Sequence, residues 1–173
     1  AATGHAATTS IEVTFEGLGP VGFAPVIGAF HSGSVDFFDA GSTASAELET
    51  LAEVGSPVSL LGTIGAGAQS GSITGGPGGA GVSGTATFEV DDANTLFSYA
   101  GMVLPSNDWF IGSDSGRDIS SLLGAAAGET LVFDVFTVWD AGTESEDFGT
   151  SAGNPMFGIP GVDASLGDTL TDP

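Results

Sequence analysis

The chain contains no cysteine and no lysine, and Arg117 is its single basic side chain apart from two histidines. Without cysteine, neither a disulfide framework nor a thiolate metal site can form. One cation cannot neutralise the phosphates of a nucleic acid or attract an anionic membrane surface. No stretch of these 173 residues reaches the roughly 18 consecutive apolar residues of a membrane-spanning helix. These absences exclude nucleic-acid binding and membrane insertion as functions.

What the chain has in excess is negative charge. Twenty-two Asp and Glu residues give a formal net charge of -21, while 41% of the residues are hydrophobic, enough to build one core. Self-repulsion on this scale opposes the compact state unless salt screens it or bound cations neutralise it. We therefore expect a salty, halophilic environment, a divalent-cation site, or both. Most of the acids are interpreted as a solvated surface.

The location is predicted from the start of the chain and from its loops. Residues 1–4 are small and uncharged, as expected after removal of a signal peptide. Loops rich in Gly, Ser and Thr, together with the absence of lysine, point the same way. The prediction is a secreted, extracellular or cell-surface protein.

Hydrophobic periodicity predicts mainly strands. Period-two alternation marks residues 11–16 and 82–91, and apolar runs predict further strands over 23–30 and 96–104 and a central strand over 130–139. One helix is expected from about residue 44 to 52, capped by Ser42 or Thr43 and ended by Gly55, and a second short one opens at Ser56 and Pro57. The glycine-rich residues 65–81 are predicted to form a flexible surface loop.

This pattern of short strands, many turns and one or two short helices is typical of an all-β, antiparallel β-sandwich. We predict one domain over residues 9–173, preceded by a flexible N-terminal arm over residues 1–8.

Catalytic patterns are missing from the sequence. His5 and His31 stand in no zinc-binding spacing, and no serine lies in a nucleophile elbow. Paired carboxylates are unavoidable in so acidic a chain, but no aromatic-lined sugar groove is evident beside them. The chain is therefore predicted not to be an enzyme, and His31 is interpreted as structural.

Three acids stand out as candidate ligands of a hard cation. Glu89 lies on the polar face of its strand, and Asp108 and Asp140 follow or end strands beside large aromatic side chains. An acid beside buried rings costs desolvation free energy unless a cation or hydrogen-bond donors compensate it. Oxygen ligands of this kind suit Ca²⁺. The alternative is that Asp108 and Asp140 accept hydrogen bonds from loop amides, and the residues alone favour both interpretations equally.

Two motifs give these acids a wider context. Residues 102–112 run from a hydrophobic strand into Pro105-Ser106-Asn107-Asp108-Trp109-Phe110, and residues 139–144 read Trp-Asp-Ala-Gly-Thr-Glu. Together with the earlier segments 25–31 and 44–53, they resemble the spondin N-terminal domain family, in particular its prokaryotic members, over roughly residues 9–160. The resemblance implies a C2-like β-sandwich of about eight strands with a divalent-cation site. The family's ligands map onto Asp108 and Asp140, onto Glu89 by its position on the preceding strand, and onto Glu144 as a further ligand or supporting acid.

This chain also differs from the animal members of the family. Animal spondins carry cysteines, and they usually have proline where this chain has Asn107, so their receptor partners are not carried over. Our first hypothesis is a secreted Ca²⁺-binding module for cell adhesion or the extracellular matrix, with itself, other surface proteins or glycans as partners. The alternative is a self-assembling subunit of an extracellular filament whose N-terminal segment adds a strand to a neighbour.

Overall fold

The computed structural model describes residues 7–104, 106, 108–135 and 137–143. Within these ranges the fold has nine strands and two short α-helices, which confirms the all-β prediction. The strands are β1 (Thr8–Glu16), β2 (Gly22–Phe23), β3 (Ile27–His31), β4 (Gln69–Ser72), β5 (Ser83–Asp91), β6 (Leu96–Leu104), β7 (Trp109–Gly112), β8 (Arg117–Asp118) and β9 (Val138–Asp140). The helices are α1 (Ala46–Val54) and α2 (Val58–Gly62), and a 3₁₀ turn covers Ser120–Leu122.

The strands form two antiparallel sheets. In the described residues the smaller sheet pairs β1 with β5 over nine residues, from Thr8 opposite Asp91 to Glu16 opposite Ser83. The larger sheet has the order β4-β3-β6-β7-β9, and β2 and β8 pair with the two ends of β6. The predicted antiparallel sandwich is confirmed, with β6 at the centre of its larger sheet.

The main core lies between the two sheets. Alternation along β5 buries Phe88 and Val90 and exposes Glu89, as the sequence pattern predicts. The Phe30 ring of β3 packs against Phe88 at 5.3 Å and against Phe97 of β6 at 4.8 Å between ring centroids. Aromatic burial of this kind contributes much of the free energy that holds the sheets together.

The helices cover the opposite face of the larger sheet. Leu48 and Leu51 of α1 are buried in a second cluster with Ile27 and Phe110. The predicted caps Ser42 and Thr43 are wrong: the side chain of Ser45 accepts the hydrogen bond of the Leu48 amide. Gly55 ends the helix as predicted, because its φ of 68° is in the left-handed region that glycine adopts at little cost.

The strand predicted over residues 23–30 is interrupted. Pro25 separates β2 from β3, and a proline has no amide hydrogen to donate to a ladder. The neighbouring amides find other acceptors: Ala24 N donates to Met102 O at 3.1 Å, and Val26 N donates to Thr74 Oγ1 at 2.8 Å.

The glycine-rich segment 65–81 is more ordered than the predicted flexible loop. It contains β4, which pairs with β3, and it buries Ile73 and Thr74. Gly84 of β5 lets this segment come close to that strand, since a Cβ on Gly84 would lie 2.5 Å from Ile73 O. The prediction of a surface loop is therefore wrong for residues 69–74.

The central strand predicted over residues 130–139 is also wrong. Of the residues of this range that the structure describes, only Val138 and Trp139 belong to a strand, and that strand, β9, lies at the edge of the larger sheet beside β7. Leu131 and Val132 are 38% and 77% exposed. These residue types favour strands, but they do not form one here. Strand formation also requires the edge of another strand with which to pair.

The predicted N-terminal arm lies mostly outside the described residues. Of residues 1–8, the structure describes the last two, and β1 begins at Thr8. Asp92 N donates to Ala7 O at 3.1 Å, so the ladder between β1 and β5 extends to that residue.

His31 at the end of β3 organises the loop that follows. Its ring is 1% exposed, and Nδ1 accepts hydrogen bonds from Gly33 N at 3.1 Å and Val35 N at 3.3 Å. The proton therefore resides on Nε2, which donates to Ser98 Oγ at 3.0 Å. Burial lowers the pKa of His31 below 6.5, against a smaller raising effect from Asp36.

The lowered pKa predicts a loss of stability on acidification. The unfolded chain takes up the His31 proton below about pH 6.5, before the folded chain does, so the contribution is complete above that pH and is lost as the pH falls towards the folded pKa. Denaturant titrations of the wild type and His31→Gln at pH 7.5, 6.5 and 5.5, at constant salt, will measure it. The free energy of unfolding should fall more steeply for the wild type. Parallel pH profiles would contradict the assignment.

Candidate metal centre

The turn between β6 and β7 is held by one buried hydroxyl. Ser106 Oγ donates to Val103 O at 2.6 Å and accepts from Trp109 N at 3.1 Å. The side chain is buried. Ser106 thus connects the end of β6 to the first residue of β7, and this fixes the position of Asp108 between the two strands.

Asp108 lies at the centre of the candidate site. The residue is 0% exposed. Its Oδ2 accepts a hydrogen bond from Thr143 N at 3.0 Å, and its carbonyl oxygen accepts one from Ala141 N at 3.2 Å. Both side chain and backbone therefore join the β6–β7 turn to the loop that follows β9.

Asp140 is brought to the same place by strand pairing. It is the last residue of β9 and lies opposite Trp109, the neighbour of Asp108 in sequence. Its Oδ1 accepts from Gly142 N at 2.7 Å, and Gly142 has a φ of 67° that favours glycine. Unlike Asp108, Asp140 is exposed. Two motifs that are about 30 residues apart in sequence thus meet as adjacent backbone segments.

Of the other two predicted ligands, the structure describes Glu89 alone. Glu89 is exposed on β5, opposite Ser10 in the smaller sheet. Glu144 lies outside the described residues. Across the described ranges, no group of three or more His, Asp or Glu side chains could hold a metal ion. The structure therefore places the backbone segments of two of the four predicted acids, Asp108 and Asp140, side by side.

The donors present suit a hard cation in their chemistry. The turn and the loop, called here the acidic loop pair (residues 106, 108 and 140–143), offer two carboxylates and backbone carbonyls. Thr143 Oγ1 adds a buried oxygen that has no hydrogen-bond partner among the described residues. Ca²⁺ accepts mixed oxygen ligands of these kinds, completed by water.

The alternative interpretation, in which Asp108 and Asp140 accept hydrogen bonds from loop amides, is supported by the observed hydrogen bonds. Asp108 and Asp140 each accept a backbone amide of the same loop. A carboxylate has about four acceptor positions, so one amide bond is compatible with a cation at another position. The two interpretations are therefore not exclusive at this site.

Sequence reasoning missed two residues of the loop pair. The first motif contains Ser106, and a serine hydroxyl in a turn often bonds to nearby backbone groups, so its role could have been found from the sequence. Thr143 lies in the second motif, but no local pattern shows that its amide binds Asp108.

The fold and this site define a class of small antiparallel β-sandwich modules that carry an acidic loop pair at one edge of the larger sheet. The Spondin_N family profile matches residues 15–155, most of the chain. The chain therefore belongs to the Spondin_N family, a family of extracellular-type modules, and the resemblance drawn from its motifs is confirmed. A comparison with curated proteins gives no match. None of the helices in the described ranges is long and apolar enough to cross a bilayer.

The role of Ser106 predicts a measurable loss of stability. Ser106→Ala leaves Trp109 N without its acceptor in a buried turn, which should lower the free energy of unfolding by about 1–3 kcal/mol. Chemical denaturation will measure the change. Ser121→Ala, at an exposed position, is the control and should stay within about 0.5 kcal/mol of the wild type. Equal losses for the two variants would contradict the assigned role.

Proposed function

We propose that the chain is an extracellular adhesion or matrix module in which Ca²⁺ is held at the acidic loop pair. The observation that carries the proposal is the fully buried Asp108, whose side chain binds Thr143 and so holds the Asp140 loop against the β6–β7 turn. Asp108, Asp140 and the Thr143 hydroxyl are the side chains that would hold the ion.

Electrostatics support a cation at this place. The net charge of -21 raises the free energy of every ionised carboxylate through repulsion from the others. Arg117 is the chain's one Lys or Arg side chain, and it lies beyond the other end of β7, over the Phe133 ring. When bound, Ca²⁺ would supply positive charge to two loops that hydrogen bonds already join.

The surroundings set the affinity such a site needs. Calcium sites of extracellular modules function at dissociation constants on the order of 10⁻⁴ to 10⁻³ M, since external calcium is abundant. The role of the ion would be to fix the loop pair as a surface for partners.

Calcium should raise thermal stability through this site. At 10 mM Ca²⁺, about 10 to 100 times such a dissociation constant, the free energy of unfolding should rise by about 1.4–2.7 kcal/mol. Calorimetry in 10 mM CaCl₂ and in EDTA, at matched ionic strength, will measure the shift. Asp140→Asn, which changes an exposed side chain, should remove most of it, and so should Asp108→Asn if that variant folds.

Two matched variants sharpen this test. Glu129→Gln changes an exposed acid away from the loop pair and should keep the full calcium effect. Glu89→Gln decides whether the acid predicted from the family also contributes. Melting temperatures that are the same in calcium and EDTA would refute the calcium site.

Self-assembly is a second candidate function, and one observation favours it. In the described part of the chain, the smaller sheet consists of β1 and β5, so each strand has one edge without a strand partner there. Such an edge can accept a strand from another copy. β1 begins two residues after the segment 1–6, which would supply that strand in the hypothesis.

Deletion of residues 1–6 tests this function without shortening β1. Electron microscopy at high salt, where charge repulsion is screened, should show filaments of the full chain and dispersed particles of the truncated chain. Circular dichroism will verify that the truncated chain is folded. Dispersed monomers in both samples would dispose of the assembly hypothesis.

A further inference from the structure

A second site lies at the opposite end of β7 from Asp108. Here the structure has a cavity of about 340 Å³, at the lower end of the roughly 300–1,000 Å³ typical of small-molecule sites. Residues from five separate parts of the fold line it. They include Tyr99 of β6, Asp114 after β7, Arg117 of β8, Asp134 before β9, and Trp139 of β9. We call it the Arg117 cavity.

One aromatic side chain forms a fixed apolar part of the cavity. Trp139 Nε1 donates to Gly112 O at 3.1 Å, and the Phe38 ring packs edge-on against the indole at 5.1 Å. Tyr99 also lines the cavity, but it is 6% exposed and stacks on Phe97 in the core between the sheets. Because neighbours hold the indole, a ligand that packs on it does not have to order it first.

The polar side chains of the cavity provide both donors and acceptors. Arg117 offers N–H donors and is exposed, and its guanidinium lies 5.9 Å from the Phe133 ring centre. Asp114 is positioned by the hydrogen bond that its Oδ1 accepts from Ala40 N at 2.7 Å. Asp134 contributes a second carboxylate, and Ser113, Ser115 and Thr137 contribute hydroxyls.

This combination favours a ligand that both donates and accepts hydrogen bonds. An anion would meet Asp114 and Asp134 inside a molecule of net charge -21, and a cation would leave the Arg117 donors unused. A neutral molecule with several hydroxyl groups uses both kinds of group, because it can donate to the carboxylates and accept from the guanidinium. One of its C–H faces can pack on Trp139.

We propose that the Arg117 cavity binds a neutral sugar, one pyranose unit or the end of a neutral glycan. The sequence alone showed no aromatic-lined groove, because Tyr99, Arg117, Asp134 and Trp139 come from separate elements that only the fold brings together. The proposal rests on the adhesive role above, to which it gives a chemical class of partner. It does not require the calcium site, although Trp139 of the cavity directly precedes Asp140 in β9.

The test uses the full chain on an array of neutral, sialylated and sulfated oligosaccharides, in calcium and in EDTA. Neutral glycans should bind and anionic ones should not. Saturation-transfer NMR with the methyl pyranosides of glucose, galactose, mannose and N-acetylglucosamine will then identify the bound unit. Because calorimetry reports on calcium and the array on sugar, failure of one proposal is distinguishable from failure of the other.

Three variants connect binding to the cavity. Arg117→Met keeps the length of the side chain and removes its donors, and Asp134→Ala removes an acceptor from an exposed segment; each should weaken the best neutral glycan at least about tenfold, the effect of losing a hydrogen bond to a charged group. Glu129→Ala makes the same charge change as Asp134→Ala outside the cavity and should bind like the wild type. The proposal is overturned if no neutral glycan binds, if anionic glycans bind instead, or if the cavity variants bind as tightly as Glu129→Ala.

Discussion

The pairing of β6 with its neighbours is the constraint on which the rest of the molecule depends. This nine-residue strand lies between β3 and β7, and β2 and β8 pair with its two ends. One face contributes Phe97, Tyr99 and Val103 to the core between the sheets, while Ala100 on the other face packs in the cluster with α1. Because both faces are buried, a shift of register by one residue would place every side chain on the wrong side.

The register of β6 also determines where the residues of both candidate sites lie. The turn after Leu104 places Asp108, and the pairing of β7 with β9 then places Asp140 opposite Trp109. At the other end, the pairing of Phe97 with Arg117 brings the guanidinium to the cavity that Tyr99 lines. The acidic loop pair offers oxygen acceptors, whereas the Arg117 cavity combines carboxylates with a guanidinium, and the four residues of β7 connect the two.

Much of the fold could be predicted from side-chain pattern. The alternation in β1 and β5 is visible because one face of each strand meets the core and the other meets water. Asp108 and Asp140 could be found because each sits in a short, local motif beside aromatic side chains. The cap of α1 was misplaced because Ser42, Thr43 and Ser45 are equally suitable residues, and the hydrogen bond of Leu48 N decides among them.

What could not be predicted depends on partners remote in sequence. β4 pairs with β3 through the backbone of Gly71 and its neighbours. Such pairing cannot be recognised from the pattern of apolar and polar side chains. The segment 130–135 has strand-forming residues but no strand partner in the described structure, which the residues themselves cannot reveal. Glu89 is predicted as a ligand from its position in the family pattern, and its place opposite Ser10 follows only from the strand pairing.

The exposed position of Arg117 also affects how the protein can be handled. Trypsin cleaves after lysine and arginine, so in this chain it meets a single bond, between Arg117 and Asp118 of the two-residue strand β8. A cut there divides the polypeptide between β7 and β9, two strands that hydrogen bonds hold side by side. The two fragments would therefore remain associated as a nicked molecule, in which the two halves of the acidic loop pair belong to separate polypeptides.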